Sequence, residues 1–205
     1  MPDVKPEPAV PYRKWQAQQT KHRIAVAARK VFGAGGYAAT SLELVAHEAG
    51  VSPRTIFAAF GDKKAILAAI CDNWLAESDV GRLAADIMAE PNPARRLTQI
   101  ALLNRRQWEL GQDVIPMLAA AAASDAGVAQ MLAGWKSTRA GMLKDAVTGF
   151  RGKLRRGVTM RRAVATVRAL SAPEIYTELV KGEGWSADAY EHWLAELLIW
   201  ELLGV

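Results

Sequence analysis

An all-α fold, with a small N-terminal domain joined to a larger helical bundle, follows from three features of this 205-residue sequence. Helix formers run almost without interruption from about Trp15 onward. No period-2 stretch bounded by turn residues interrupts them, so no sheet is expected. The excess of positive charge lies wholly at one end: residues 1–70 carry ten Lys and Arg against five Asp and Glu, while residues 71–205 carry sixteen of each. Such a balance suits a segment facing a polyanion, although a solvated surface would carry it too.

Composition narrows the class. Hydrophobic residues make up 51% of the chain, enough to bury a core. No apolar run is long enough for a membrane span, and the opening MPDVKPEPAVPYRK lacks the apolar core of a signal peptide. The chain therefore reads as cytoplasmic, with no membrane partner. Cys71 is the only cysteine, which excludes an intramolecular disulfide and a cysteine metal cluster. No cofactor and no metal site are expected.

The elements follow in order. Residues 1–15, rich in proline, read as a flexible arm. A first helix over 16–34 places Ile24, Ala27, Ala28, Val31 and Phe32 on one face and stops at Gly35-Gly36. Thr40 or Ser41 caps a second helix carrying Leu42, Val45, Ala46 and Ala49 inward. Gly50 breaks it, and Ser52 caps a short third helix with Pro53 at its first position. Asp62 caps a fourth helix, over 63–79. Further helices are predicted over 93–110, 112–123, 125–153, 159–170, 173–181 and 186–203. The domains are then 16–62 and 63–205, after the arm.

The informative stretch is TSLELVAHEAGVSPRTIFAAFGDKKAIL, residues 40–67. Two short helices joined by a tight Gly-containing turn have helix-turn-helix geometry, whose second helix fits the major groove of DNA. Ala46 is small where the second helix packs on it, and Gly50 supplies the positive φ of the turn. Val51 and Ile56 anchor that helix to the core and leave its other face free.

This stretch resembles the TetR family of bacterial regulators. The matching residues are Thr20, Ile24, Ala27-Ala28, Phe32, Gly36-Tyr37, Thr40-Ser41, Val45-Ala46, Ala49-Gly50-Val51-Ser52, Thr55-Ile56-Phe57, Phe60, Lys63 and Leu67. A looser likeness continues through Leu154, Gly157, Pro173 to Tyr176 and Gly184 to Leu194. The resemblance implies that residues 52–58 are the recognition helix of a three-helix DNA-binding domain, ahead of a bundle for dimerisation and ligand binding. Arg54 is then the base reader, since Arg bonds guanine O6 and N7 bidentately. Pro53 and Ala58 make apolar contacts in the groove. Thr40, Ser41, Ser52 and Thr55 offer hydroxyls to phosphates or simply cap helices, and Lys63 and Lys64 add charge at a helix start. Phe57 replaces a tyrosine that commonly stands there, so a phosphate bond from its hydroxyl is lost. Arg13 and Lys14 are either an arm on DNA or a loose charged tail.

Toward the end, Tyr190, Trp193, Leu194, Leu197 and Trp200 make one helix apolar nearly all round, so it needs neighbours on every side. The family pairs its last helices with a second copy, and these five residues are assigned to a homodimer interface. Residues 136–168 hold ten basic side chains and one acid, while 172–205 hold seven acids and one lysine, a complementary pair of segments within or between chains. A dimer reads two half-sites, hence a palindromic operator on double-stranded DNA. Trp74, Trp108, Met117 and Trp135, with Arg105, Gln112 and Arg139, are candidates for a pocket holding a small-molecule effector, or else plain core. Repression relieved by that effector is the family's usual mode. The alternatives are a helical enzyme or a protein-binding dimer. His22, His47 and His192 are too scattered for a catalytic or metal set, and no phosphate loop, GxSxG or HExxH occurs.

Overall fold

The computed structural model describes residues 12–150 and 152–205. Among them are eleven α-helices and no strand. The chain divides into two units between Asn73 and Trp74, inside its fourth helix.

The N-terminal unit contains α1 (Tyr12–Gly35), α2 (Leu42–Ala49), α3 (Pro53–Phe60) and most of α4 (Lys63–Glu77). Of the predicted arm over 1–15, residues 1–11 lie outside the described residues, and 12–15 are helical. The first turn of α1 is held by the stacked Tyr12 and Trp15 rings, 6.1 Å apart, and by Gln16 donating to the Tyr12 hydroxyl at 3.1 Å. Arg13 and Lys14 therefore stand on a helix, not on a loose tail. Ile24, Ala25, Ala27, Ala28, Val31 and Phe32 are buried along α1. The three alanines leave room for α2 and α3, which both pack on this helix.

Ser41 caps α2, its Oγ accepting the Leu44 N–H at 3.2 Å. The helix ends at Gly50 in the left-handed region, φ +63°, and the Val51 N–H returns to the Ala46 carbonyl at 3.0 Å. A side chain at that φ is strained, so glycine sets the sharpness of the turn. Ser52 caps α3 and Pro53 opens it, while Ile56 points inward and is fully buried. Asp62 starts α4 by accepting the Ala65 N–H at 2.7 Å.

The second unit runs from Trp74 to the end. It contains α5 (Val80–Ala89), α6 (Pro93–Leu110), α7 (Val114–Ser124), α8 (Ala126–Thr148), α9 (Met160–Leu170), α10 (Pro173–Tyr176) and α11 (Ala187–Leu203). A π-helical segment, Thr177–Gly182, continues α10. Sequence reading carried the fourth helix to residue 79 and assigned nothing to 80–92. The break comes earlier because Asp79 takes φ +58°, a conformation its short polar side chain tolerates. Arg82 then bridges Asp79 and Asp86 on the new helix. The eighth helix also ends earlier than predicted, at Thr148.

The main packing partner of α11 is α6, with α7 against α8 and α8 against α9. The fully buried Trp74 indole donates to the Gln107 carbonyl at 2.9 Å. Gly111 admits it: a Cβ there would lie 2.5 Å from Trp74 Cζ2. No helix among the described residues is long and apolar enough to cross a membrane.

Candidate DNA-binding face and buried polar cluster

In the N-terminal unit, the short α3 is fixed from within by Ile56 and from its start by the Ser52 cap. Ser52 Oγ accepts the Thr55 N–H at 3.1 Å and lies 2.8 Å from Thr55 Oγ1, so the two hydroxyls form one pair at the helix start. On the outer face Pro53, Arg54, Phe57 and Ala58 are all exposed. Phe57 is 53% exposed and Leu44, at the start of α2, 48%. A capped helix presenting an arginine and bare apolar side chains to solvent is built for a partner surface, since its own core has no use for them.

Two predicted phosphate contacts do not survive. Thr40 is 3% exposed and its hydroxyl donates to the Gly36 carbonyl at 2.7 Å, so it closes the loop between α1 and α2. Lys63 Nζ donates to the carbonyls of Tyr37, Ala38 and Thr40 at 3.0, 3.2 and 3.0 Å and sits 4.9 Å from the Tyr37 ring centre. All three of its protons are directed into the protein. Lysine at a helix start signals an anion in sequence, but here the loop carbonyls supply the negative end of the dipoles. Ser41, a cap, and Lys64 remain exposed.

Lys63→Ala is therefore expected to lower stability, by about 1–3 kcal/mol for three charge-assisted hydrogen bonds. The salt dependence of DNA binding should keep its slope. Thermal unfolding and a salt titration check the two halves separately, and a slope reduced by about 1 per half-site returns Lys63 to the phosphates.

In the helical unit, several of the predicted pocket residues do meet. Trp74 lies 5.1 Å from Trp135 and 6.3 Å from Trp108, centroid to centroid, and the Arg139 guanidinium covers the Trp108 ring at 4.6 Å. Gln112 acts on the Tyr176 hydroxyl, favouring its ionised form against the effect of burial, and Met117 is buried on α7. Arg105 is not part of the group. It is an ion-pair clasp from α6 to α11, 2.6 Å from Asp188 and 3.1 Å from Glu191, with Glu109 at 3.3 Å. Burial works against its charge, but the Glu191 hydrogen bond and the three carboxylates outweigh it and raise its pKa.

Sequence reasoning missed the polar side of the cluster. Asn104, fully buried on α6, donates to the Ile100 carbonyl and to Ser171 Oγ at 2.9 and 3.0 Å. Arg139 Nη2 donates to Asn104 Oδ1 and, at 2.9 Å, to the Ser171 carbonyl. The signal was available: Asn104 and Gln107 interrupt the buried face that Leu97, Ile100, Ala101 and Trp108 define. Cys71 is inert, since burial and then the neighbouring Asp72 push its thiol up to about 12.

The interface assignment changes as well. Tyr190 and Leu194 are fully buried within the unit, with the Tyr190 ring 4.8 Å from Tyr176 and 6.2 Å from Trp193. They have no surface left to bury against a second copy, because α6 already covers that side of α11. Trp193 packs edge-on to Trp185 at 5.9 Å, Leu197 is half-buried, and Trp200 is 57% exposed. The complementary charged segments meet within the chain, where Glu201 pairs with Arg155 and Arg162 at 3.4 and 3.8 Å.

Residues 24–70 match the family model of bacterial regulatory proteins of the tetR family. No curated protein matches the sequence at significance. Among solved structures, the chain is similar to the transcriptional regulator FadR from Bacillus subtilis in complex with stearoyl-CoA, with TM-score 0.69, 19% identity, and 87% of this chain and 97% of that one covered. It is similar also to NalD, the secondary repressor of the MexAB-OprM multidrug efflux pump in Pseudomonas aeruginosa, with TM-score 0.70, 19% identity, and coverage of 93% and 98%. SmeT in complex with triclosan aligns at TM-score 0.65 with 20% identity, covering 91% and 92%. The family signature thus lies on α1 to α4, residues 24–70, and the all-helical fold behind it is the one these regulators share.

Proposed function

We propose that this protein is a cytoplasmic repressor that binds a palindromic operator as a homodimer and leaves it when a small molecule occupies its helical domain. The exposed face of α3 carries the reading: Arg54, Pro53, Phe57 and Ala58 stand free on a helix locked by Ser52 and Ile56. Arg54 reads a base edge, Ser41, Ser52, Thr55 and Lys64 contact phosphates, and the apolar side chains meet thymine methyl groups and sugars. Trp200 and Leu197, with the outer edge of Trp193, form the core of the dimer contact on α11. Support for an effector comes from the aromatic and arginine cluster around Trp108, and from relatives bound to stearoyl-CoA and to triclosan.

Selection of bound duplexes from a random DNA pool tests the reading. A palindrome with half-sites one helical turn apart, roughly 34–36 Å, is the expected product. A folded, dimeric protein that enriches nothing, with or without candidate ligands, overturns it.

Phe57 gives a second expectation. Phe57→Tyr restores a hydroxyl beside the phosphates and should tighten operator binding by about 1 kcal/mol, near fivefold. The salt slope should not move, because a neutral donor releases no counterion. Unchanged affinity in a fluorescence anisotropy titration would place residue 57 away from the backbone.

A further inference from the structure

Among the described residues of the helical unit, four buried donors lack a hydrogen-bond partner: Arg105 Nε, which still faces the Glu109 carboxylate at 3.3 Å, and Arg139 Nη1, Tyr190 OH and Trp108 Nε1. The last three belong to one cluster, since the Arg139 guanidinium lies over the Trp108 ring and Tyr190 is within electrostatic reach of it. Arg139 differs from the other inward-facing arginines. Arg105 has three carboxylates. Arg96 has the carbonyls of Glu90 and Ala146 and the Phe150 ring. Arg139 has only the neutral Asn104 and Ser171 oxygens, both on Nη2, and among the described residues no carboxylate pairs with it.

Burial lowers its pKa to about 10, which still leaves the group cationic at neutral pH. A buried cation without a counter-charge is costly, and unpaired donors beside it add to the cost. A water molecule can accept from one or two of them but brings no charge. What complements the cluster is an anionic oxygen group. A monoanion balances the single charge, whereas a dianion would leave an uncompensated negative charge among Trp and Tyr rings. A carboxylate also matches the flat edge of the guanidinium. Around it stand the rings of Trp74, Trp108, Trp135 and Tyr176.

We propose that the effector is a small carboxylic acid with an apolar, aromatic body, its carboxylate held by Arg139 Nη1 and the Tyr190 hydroxyl and its body against Trp108 and Trp135. The inference rests on the regulator reading for its role as an effector, but not for the binding itself.

The test is calorimetric titration of the full-length protein with benzoate, 1-naphthoate, 2-naphthoate and indole-3-acetate, each against its uncharged amide. At least one acid should bind about tenfold or more tightly than its amide, the scale of one lost charge-assisted contact. In Arg139→Gln, with folding checked by circular dichroism, that preference should vanish. No binding by any acid, equal binding by acid and amide, or a preference that persists in the variant overturns the proposal. The acid–amide comparison is made on the unaltered protein, so a variant that fails to fold does not remove the test. The same acids are then added to the protein on its selected operator. An acid that binds through Arg139 without releasing DNA overturns its role as effector, and absence of an operator overturns the regulator reading alone.

Discussion

Arg54→Ala should cut operator affinity by about 1–3 kcal/mol per half-site, on the order of 10- to 100-fold each, because a bidentate contact to guanine disappears. In a two-fold dimer both half-sites lose it together. The backbone should not respond: Arg54 is exposed, while α3 is held by the Ser52 cap and by Ile56. The loss should fall on the operator far more than on random duplex, since sequence-independent binding comes from phosphates. Arg54→Lys separates charge from geometry. It keeps the cation but not the fork, so affinity for random DNA should persist while discrimination at one base of each half-site relaxes. Anisotropy titrations of both variants on operator and random duplex, at one fixed salt concentration, decide it. A parallel fall on the two duplexes would make Arg54 a phosphate contact.

The N-terminal domain was legible because its signals are local. Ser41, Gly50, Ser52-Pro53 and Asp62 act within four residues of themselves, through caps and one positive φ, and each appears where its residue type predicts. What escaped were side chains whose partners lie far along the chain. Lys63 reaches back to carbonyls more than twenty residues earlier, and nothing in its neighbourhood distinguishes that use from a phosphate contact. Thr40 looked like a cap because a hydroxyl before a helix commonly is one, yet it turns back to Gly36. On α11 the apolar pattern gave burial correctly but not its source. Periodicity cannot say whether α6 or a second chain covers a given stripe, and for Tyr190 and Leu194 it is the chain's own core. The break at Asp79 was hidden for a different reason: a non-glycine residue in the left-handed region has no strong sequence mark.

Removal of Asn104 should be among the most damaging single changes in the helical unit, and removal of Asn104 together with Arg139 should be far milder. Asn104→Ala strips the guanidinium of one of its two acceptors and Ser171 Oγ of its donor, all out of water. Loss of one partner from a buried charged network costs about 3–5 kcal/mol. In Asn104→Leu with Arg139→Met no charge remains to be desolvated. Apolar replacements of similar volume for such a group are commonly neutral or stabilising by about 1–4 kcal/mol. Denaturant unfolding followed by tryptophan emission reads this unit directly, because Trp74, Trp108 and Trp135 stand beside the network. The sign of the double variant matters most. If it is as stable as the unaltered chain or more so, Arg139 does not earn its place by holding the fold together, and a buried cation kept at a net cost implies a charge that it receives from outside. If the double variant is as unstable as Asn104→Ala, the network is structural and Arg139 needs no ligand to account for it.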